Sequence, residues 1–191
     1  MRKFSFASLL LMLCLPAAQA HPGHDGGMSL FQGFGHPLTG LDHLLAMVAA
    51  GLWAAQIGGR ALWVIPVSFV LAMLGGGIAG MNGLALPFLE PGIALSVLLL
   101  GLAIAFAFRP PLCVPAILVA AFAIFHGMAH GSEMPATAFG FTFGLGFLLA
   151  TALLHVAGIA LGLALKKVSP APLIPALGVG VALLGGYLLI G

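Results

Sequence analysis

Ala61-Leu62-Trp63-Val64-Ile65-Pro66-Val67-Ser68-Phe69-Val70-Leu71-Ala72-Met73-Leu74-Gly75-Gly76-Gly77-Ile78-Ala79-Gly80-Met81 contains no charged side chain. A helix rising 1.5 Å per residue over this run is about 31 Å long, close to the roughly 30 Å of a bilayer's hydrocarbon core. It lies between Gly58-Gly59-Arg60 and Asn82-Gly83, both of which carry turn chemistry. The rest of the chain shows that the run is no isolated core helix. Of its 191 residues 62% are hydrophobic and 5% charged, and the mean hydropathy is +1.22. A soluble domain carries roughly 25% charged residues. Five per cent cannot cover a water-facing surface, so a soluble globular enzyme is excluded. Disorder fails on the same ground, because disordered chains are charged and poor in apolar residues. Six basic residues spread along the chain form no phosphate-binding stripe, which excludes a nucleic-acid partner. The partner is the lipid bilayer.

Arg2 and Lys3 precede the apolar stretch Phe4 to Leu15, which Pro16 breaks before Ala18-Gln19-Ala20. Positive start, short apolar stretch and small-x-small ending read as a secretory signal peptide over 1–20, cut before His21. An uncleaved anchor is the alternative. Residues 21–37 then form a periplasmic, histidine-bearing N-terminus, and 38–191 a six-helix transmembrane domain. The mature part keeps four acids (Asp25, Asp42, Glu90, Glu133) and four bases (Arg60, Arg109, Lys166, Lys167), so it has no net formal charge. Cys113 is its single cysteine, which excludes an intramolecular disulfide and a CxxC metal site.

Apolar runs of about the length that a spanning helix needs recur at 38–57, 61–81, 91–108, 112–130, 139–165 and 172–190. The expected fold is therefore all-α, a polytopic bundle of six transmembrane helices. A cleaved signal puts His21 outside, so the loops after spans 1, 3 and 5 face the cytoplasm. Those loops hold Arg60, Arg109, Lys166 and Lys167, and the positive-inside rule gives the same orientation from different residues. Both termini are then periplasmic, in a bacterial inner membrane. Gly76/Gly80, Gly127/Gly131, Gly140/Gly144 and Gly158/Gly162 are small-xxx-small pairs that let helices approach closely. Spans 1–3 and 4–6 fit an inverted repeat. A homo-oligomer is compatible with this reading.

Polar groups in a bilayer are expensive and mark function unless a local role explains them. They gather in two places. The first is His36-Pro37-Leu38-Thr39-Gly40-Leu41-Asp42-His43, followed by Met47. A charged Asp42 at span depth costs about 2.5–3.5 kcal/mol, which a bound cation or protonation offsets. Its structural alternative is a capping box with Thr39. The second is Phe125-His126-Gly127-Met128-Ala129-His130-Gly131-Ser132-Glu133. His126 and His130 at i, i+4 share a helix face, and Glu133 continues it. Two imidazoles and a carboxylate on one stripe suit a first-row divalent ion. Span 1 begins and span 4 ends at the outer face, so both clusters lie at one membrane level. Gly127 and Gly131 admit a close neighbour; with span 1 as that neighbour, His36, Asp42, His43, His126, His130 and Glu133 surround one outward-facing cavity. His21, His24 and Asp25 form a candidate metal collector outside the membrane. Met47, beside the first cluster, is a packing residue or a secondary thioether candidate for the metal, and His155 a packed neutral histidine or a ligand further along the path.

At these clusters the chain resembles the HupE/UreJ family of nickel/cobalt permeases. The likeness rests on His36-Pro37-x-x-Gly40-x-Asp42-His43-x-x-Ala46-Met47 and Phe125-His126-Gly127-x-Ala129-His130-Gly131-x-Glu133, in order and within the same six-span layout. It implies secondary uptake of Ni²⁺ or Co²⁺ as substrate, with no resident cofactor and no enzymatic activity. It also implies that the six histidine and acid residues named above handle the metal. No GxxxxGK[ST] loop for ATP occurs. Two other functions compete. One is an intramembrane zinc-dependent hydrolase, with three histidines on zinc and Asp42 or Glu133 activating water, although HExxH is absent. The other is a passive metal sensor or metal-collecting partner, which needs few spans and no intramembrane acid.

Overall fold

The computed structural model describes residues 30–134, 138–168 and 173–191. The expected signal peptide and His21, His24 and Asp25 lie outside the described residues. Within them the chain is all-helical: α1 (Leu30–Thr39), α2 (Leu41–Ile57), α3 (Ala61–Met81), α4 (Leu89–Ala105), α5 (Cys113–Glu133), α6 (Ala138–Val168) and α7 (Leu173–Ile190). Helices α3, α5, α6 and α7 are each long and apolar enough to cross a membrane. The pair α1 and α2, bent by 86°, passes the same test when taken together, and α4 is a shorter apolar helix of 17 residues. Large apolar side chains such as Ile117, Leu71 and Leu183 point outward from the bundle. Such a surface suits lipid rather than water. The chain is a membrane protein.

Sequence reading gives no expectation of a helix before span 1, where residues 21–37 are assigned to a periplasmic N-terminus. Helix α1 forms in spite of Pro37 near its end, and the chain turns at Gly40, whose backbone is extended (φ −88°, ψ 115°). The turn also removes the capping box that was the structural alternative for Asp42. Thr39 Oγ1 donates to the His36 carbonyl at 2.7 Å, which uses the hydroxyl on an orphan acceptor of the helix it closes. Gly40 caps α2 without a side chain. Asp42 accepts the His43 amide at 2.7 Å, so a first-turn donor is satisfied by its immediate neighbour.

Lipid is as apolar as a leucine side chain, so helices in it associate by close packing rather than by escape from water. Glycine provides that packing here. The face of α5 bearing Gly127 and Gly131 rests on the Met73 and Gly77 backbone of α3, while Gly76 and Gly80 of α3 meet Ile124 and Met128 of α5. The close neighbour of Gly127 and Gly131 is thus α3, the second span, and not span 1 as the sequence suggested. The reason is mutual, because α3 presents Gly76, Gly77 and Gly80 at this contact. Gly158 and Gly162 approach α2, whereas nothing lies within 4 Å of a Cβ at Gly144. Helix α1 docks on α6 through Gly33 against Phe143 and Gly146 against Leu30.

Among the six helices after α1, the most extensive pairings are α3 with α5, α4 with α7, and α2 with α6. Exchanging α2–α4 for α5–α7 maps this set onto itself, as an inverted repeat requires. At the end where α2 finishes, Trp53 Nε1 donates to the Phe108 carbonyl at 2.9 Å, and Lys166 Nζ to the Ala55 carbonyl at 2.6 Å. The loops bearing Arg60 and Arg109 and the Lys166-Lys167 turn therefore converge on one end, opposite His36 and Glu133.

Gly127→Val drives two methyls into the α3 backbone and is expected to destabilise the protein by about 1–3 kcal/mol, the usual range for overpacking. Gly144→Ala meets open space and is expected to leave stability unchanged or slightly raised. Thermal unfolding of both variants in detergent checks this.

Candidate metal centre

The break at Gly40 lays α1 across the ends of α5 and α6, which brings His36 to His130. Their ring centroids are 4.7 Å apart, nearly perpendicular. His36, His130 and Glu133 each offer a ligand atom, and these atoms lie within 4.8 Å of one another. Glu133 is exposed, His36 half-buried and His130 buried, so this group forms a mouth. His43, at the start of α2, sits 4.3 Å from His130 and 4.6 Å from His126, ring to ring. His126 lies one helical turn deeper than His130 on α5 and is fully buried. Four imidazoles from three helices therefore make a continuous contact from Glu133 inward. Phe143 and Phe147 of α6 wall it, with Phe147 4.3 Å from His130.

The hydrogen bonds of these rings decide which nitrogens remain available. His43 Nδ1 lies 2.8 Å from Asp42 Oδ1. A carboxylate only accepts, so Nδ1 carries the proton and Nε2 keeps its lone pair. His126 Nε2 lies 2.9 Å from Ser96 Oγ, whose own hydroxyl donates to the Ile93 carbonyl at 2.6 Å. The serine oxygen therefore accepts from Nε2–H, and His126 Nδ1 keeps the lone pair. His43 Nε2, His126 Nδ1 and both nitrogens of His130 are buried without a hydrogen-bond partner in the protein. Buried polar atoms are almost always paired. Here each oriented ring instead presents a bare lone pair, as a metal-binding imidazole does when its other nitrogen is held.

Five of the six principal candidates, His36, His43, His126, His130 and Glu133, thus meet in one place, and Asp42 joins them through His43. Met47 belongs to the buried apolar core, the packing role expected of it. His155 lies deeper and does not touch the four rings. Ser96 is the residue that sequence reasoning missed. It had a signal: apart from Glu90 in the first turn, it is the one polar side chain in α4.

Comparison with known proteins follows the same residues. The profile of the family described as HupE / UreJ protein matches residues 9–188, a range that includes all six principal candidates. The chain is 45% identical over 196 residues to "Protein HupE" of Rhizobium leguminosarum bv. viciae, covering 100% of both chains. The chain belongs to the HupE/UreJ family. This family comprises transporters, in general of nickel and cobalt, and not enzymes. Membership lends no support to the intramembrane hydrolase. No solved structure matches the chain.

Ser96→Ala removes the acceptor that fixes the His126 ring. Loss of such an outer partner typically weakens metal affinity about 10–100-fold. A drop of that order in Co²⁺ affinity is expected, measured by equilibrium dialysis of the purified protein.

Proposed function

We propose that this member of the family is a six-span permease that takes up divalent nickel or cobalt across the bacterial inner membrane, with both mature termini in the periplasm. The signal-like N-terminus and the four bases gathered at one end of the bundle support the orientation. The bent α1–α2 pair counts as span 1 and the 17-residue α4 as span 3, at the short limit for a spanning helix. The single observation that carries the reading is the run of imidazoles from Glu133 inward, each buried ring showing an unpaired nitrogen.

The ion enters at His36, His130 and Glu133, where carboxylate and imidazole replace part of its water shell. It then passes to the bare nitrogens of His43 and His126. Asp42 keeps His43 in the ligating tautomer and adds a negative charge that lowers the ion's energy at this depth. Conduction needs sites strong enough to admit the ion and weak enough to release it. A string of ligands shared between neighbouring positions meets that need better than a closed three-ligand site. At 100 mV, negative inside, a divalent cation gains about 4.6 kcal/mol on moving inward. Facilitated diffusion is therefore energetically sufficient.

The test is ⁶³Ni²⁺ and ⁵⁷Co²⁺ uptake into proteoliposomes with an imposed inside-negative potential. His43→Ala and His130→Ala are expected to abolish uptake while the protein stays in the membrane. Unchanged uptake in both would overturn the reading.

A further inference from the structure

His155 lies outside the cluster and has no part in the function so far. Its backbone rests against Gly51 of α2, eight residues beyond His43, and it lies eight residues beyond Phe147 on α6. Eight helical residues rise about 12 Å, so two helices independently put His155 about that much further from the mouth. The ring is fully buried. Its Nδ1 lies 2.8 Å from the Thr151 carbonyl, one turn back on the same helix. A carbonyl only accepts, so Nδ1 carries the proton and Nε2 holds the lone pair. That Nε2 is buried and unpartnered, the same condition as His43 Nε2 and His126 Nδ1.

One side chain connects this ring to the outer cluster. Phe69, near the middle of α3 and fully buried, has its ring centroid 5.7 Å from that of His126 and 4.9 Å from that of His155. One turn along α3, Met73 Sδ accepts from Thr151 Oγ1 at 3.8 Å, so Phe69 and Met73 of α3 face Thr151 and His155 of α6. The two sides of Phe69 differ in charge. The mouth side holds Asp42 and Glu133; the residues named around His155 are neutral.

We infer that the path contains a second, inner station at His155 Nε2 for the same divalent cation, and that the Phe69 ring divides it from the outer histidines. The inference rests on the permease reading above. An ion held beside two carboxylates has little reason to leave inward unless another ligand waits within reach. His155 supplies that ligand, without a carboxylate to trap the ion there. The aromatic ring excludes water between the stations, as an apolar constriction does, and its face tolerates a passing cation. The ion crosses when the ring swings aside, moving from His126 Nδ1 to His155 Nε2.

The test compares wild type, His43→Ala, His155→Gln and Phe69→Leu. Co²⁺ binding is followed in detergent by the ligand-field absorption, and ⁶³Ni²⁺ uptake and efflux in proteoliposomes. His155→Gln is expected to keep the cobalt absorption of the outer station while uptake falls at least about tenfold, a barrier increase of about 1.4 kcal/mol. Phe69→Leu, close in volume and without the ring, is expected to keep cobalt binding and to speed efflux of preloaded ⁶³Ni²⁺ about tenfold, on the same scale. Uptake by His155→Gln at the wild-type rate, with His43→Ala inactive, overturns the inner station and leaves the permease standing. Loss of the cobalt absorption in a membrane-inserted His155→Gln overturns it too, because the stations would then not be separate. If His155→Gln does not accumulate, Phe69→Leu decides, and unchanged efflux overturns the division. Wild type without Ni²⁺ or Co²⁺ uptake overturns the permease reading and the inference with it.

Discussion

Inside a bundle this poor in polar groups, a buried polar atom finds its partner in the protein or goes without one. That constraint organises the molecule. Four imidazoles sit fully or almost fully inside a chain with only four acids. Three of them are fastened by one nitrogen, to a carboxylate, a serine hydroxyl and a backbone carbonyl. Each fastening fixes the tautomer and aims the other nitrogen into the interior. His130 has neither nitrogen engaged and stands at the junction between mouth and interior, in contact with His36 on one side and His43 on the other.

Placing those rings depends on how glycine distributes the helices. The α3 and α5 backbones meet across facing glycines, which fixes His126 relative to Phe69. Gly51 and Gly158 hold α2 against α6, which sets His43 and His155 at two levels of one groove. The 86° bend at Gly40 brings His36 of α1 against His130. Each close contact thus has a counterpart among the histidines: one positions His126, another His155, and the bend brings in His36.

The metal-handling reading and the family assignment rest on separate grounds that agree. The motifs at His36 to Met47 and Phe125 to Glu133 are local patterns, and the family profile covers nearly the whole chain. The geometry adds that residues about 90 positions apart touch, ring against ring. It also gives Ser96 a role, since its hydroxyl fixes the His126 ring.

Much of this was legible in the sequence. Charge poverty fixed the solvent, because so few ionic groups cannot clothe a water-facing surface. Period and length located the apolar helices to within a few residues, since a span's length is set by the bilayer rather than by its neighbours. Spacing put His126 and His130 on one face, because helical geometry is local. Three things were decided only in three dimensions. Gly127 and Gly131 could have served any partner helix; which one depended on where matching glycines lay, and those were on α3. Thr39 could cap or bond backward, and the turn at Gly40 chose the second. Finally, a histidine's tautomer depends on what its other nitrogen meets. For His126 that is a serine thirty residues away, a partner no local pattern names, because it is the packing of α4 against α5 that brings the two together.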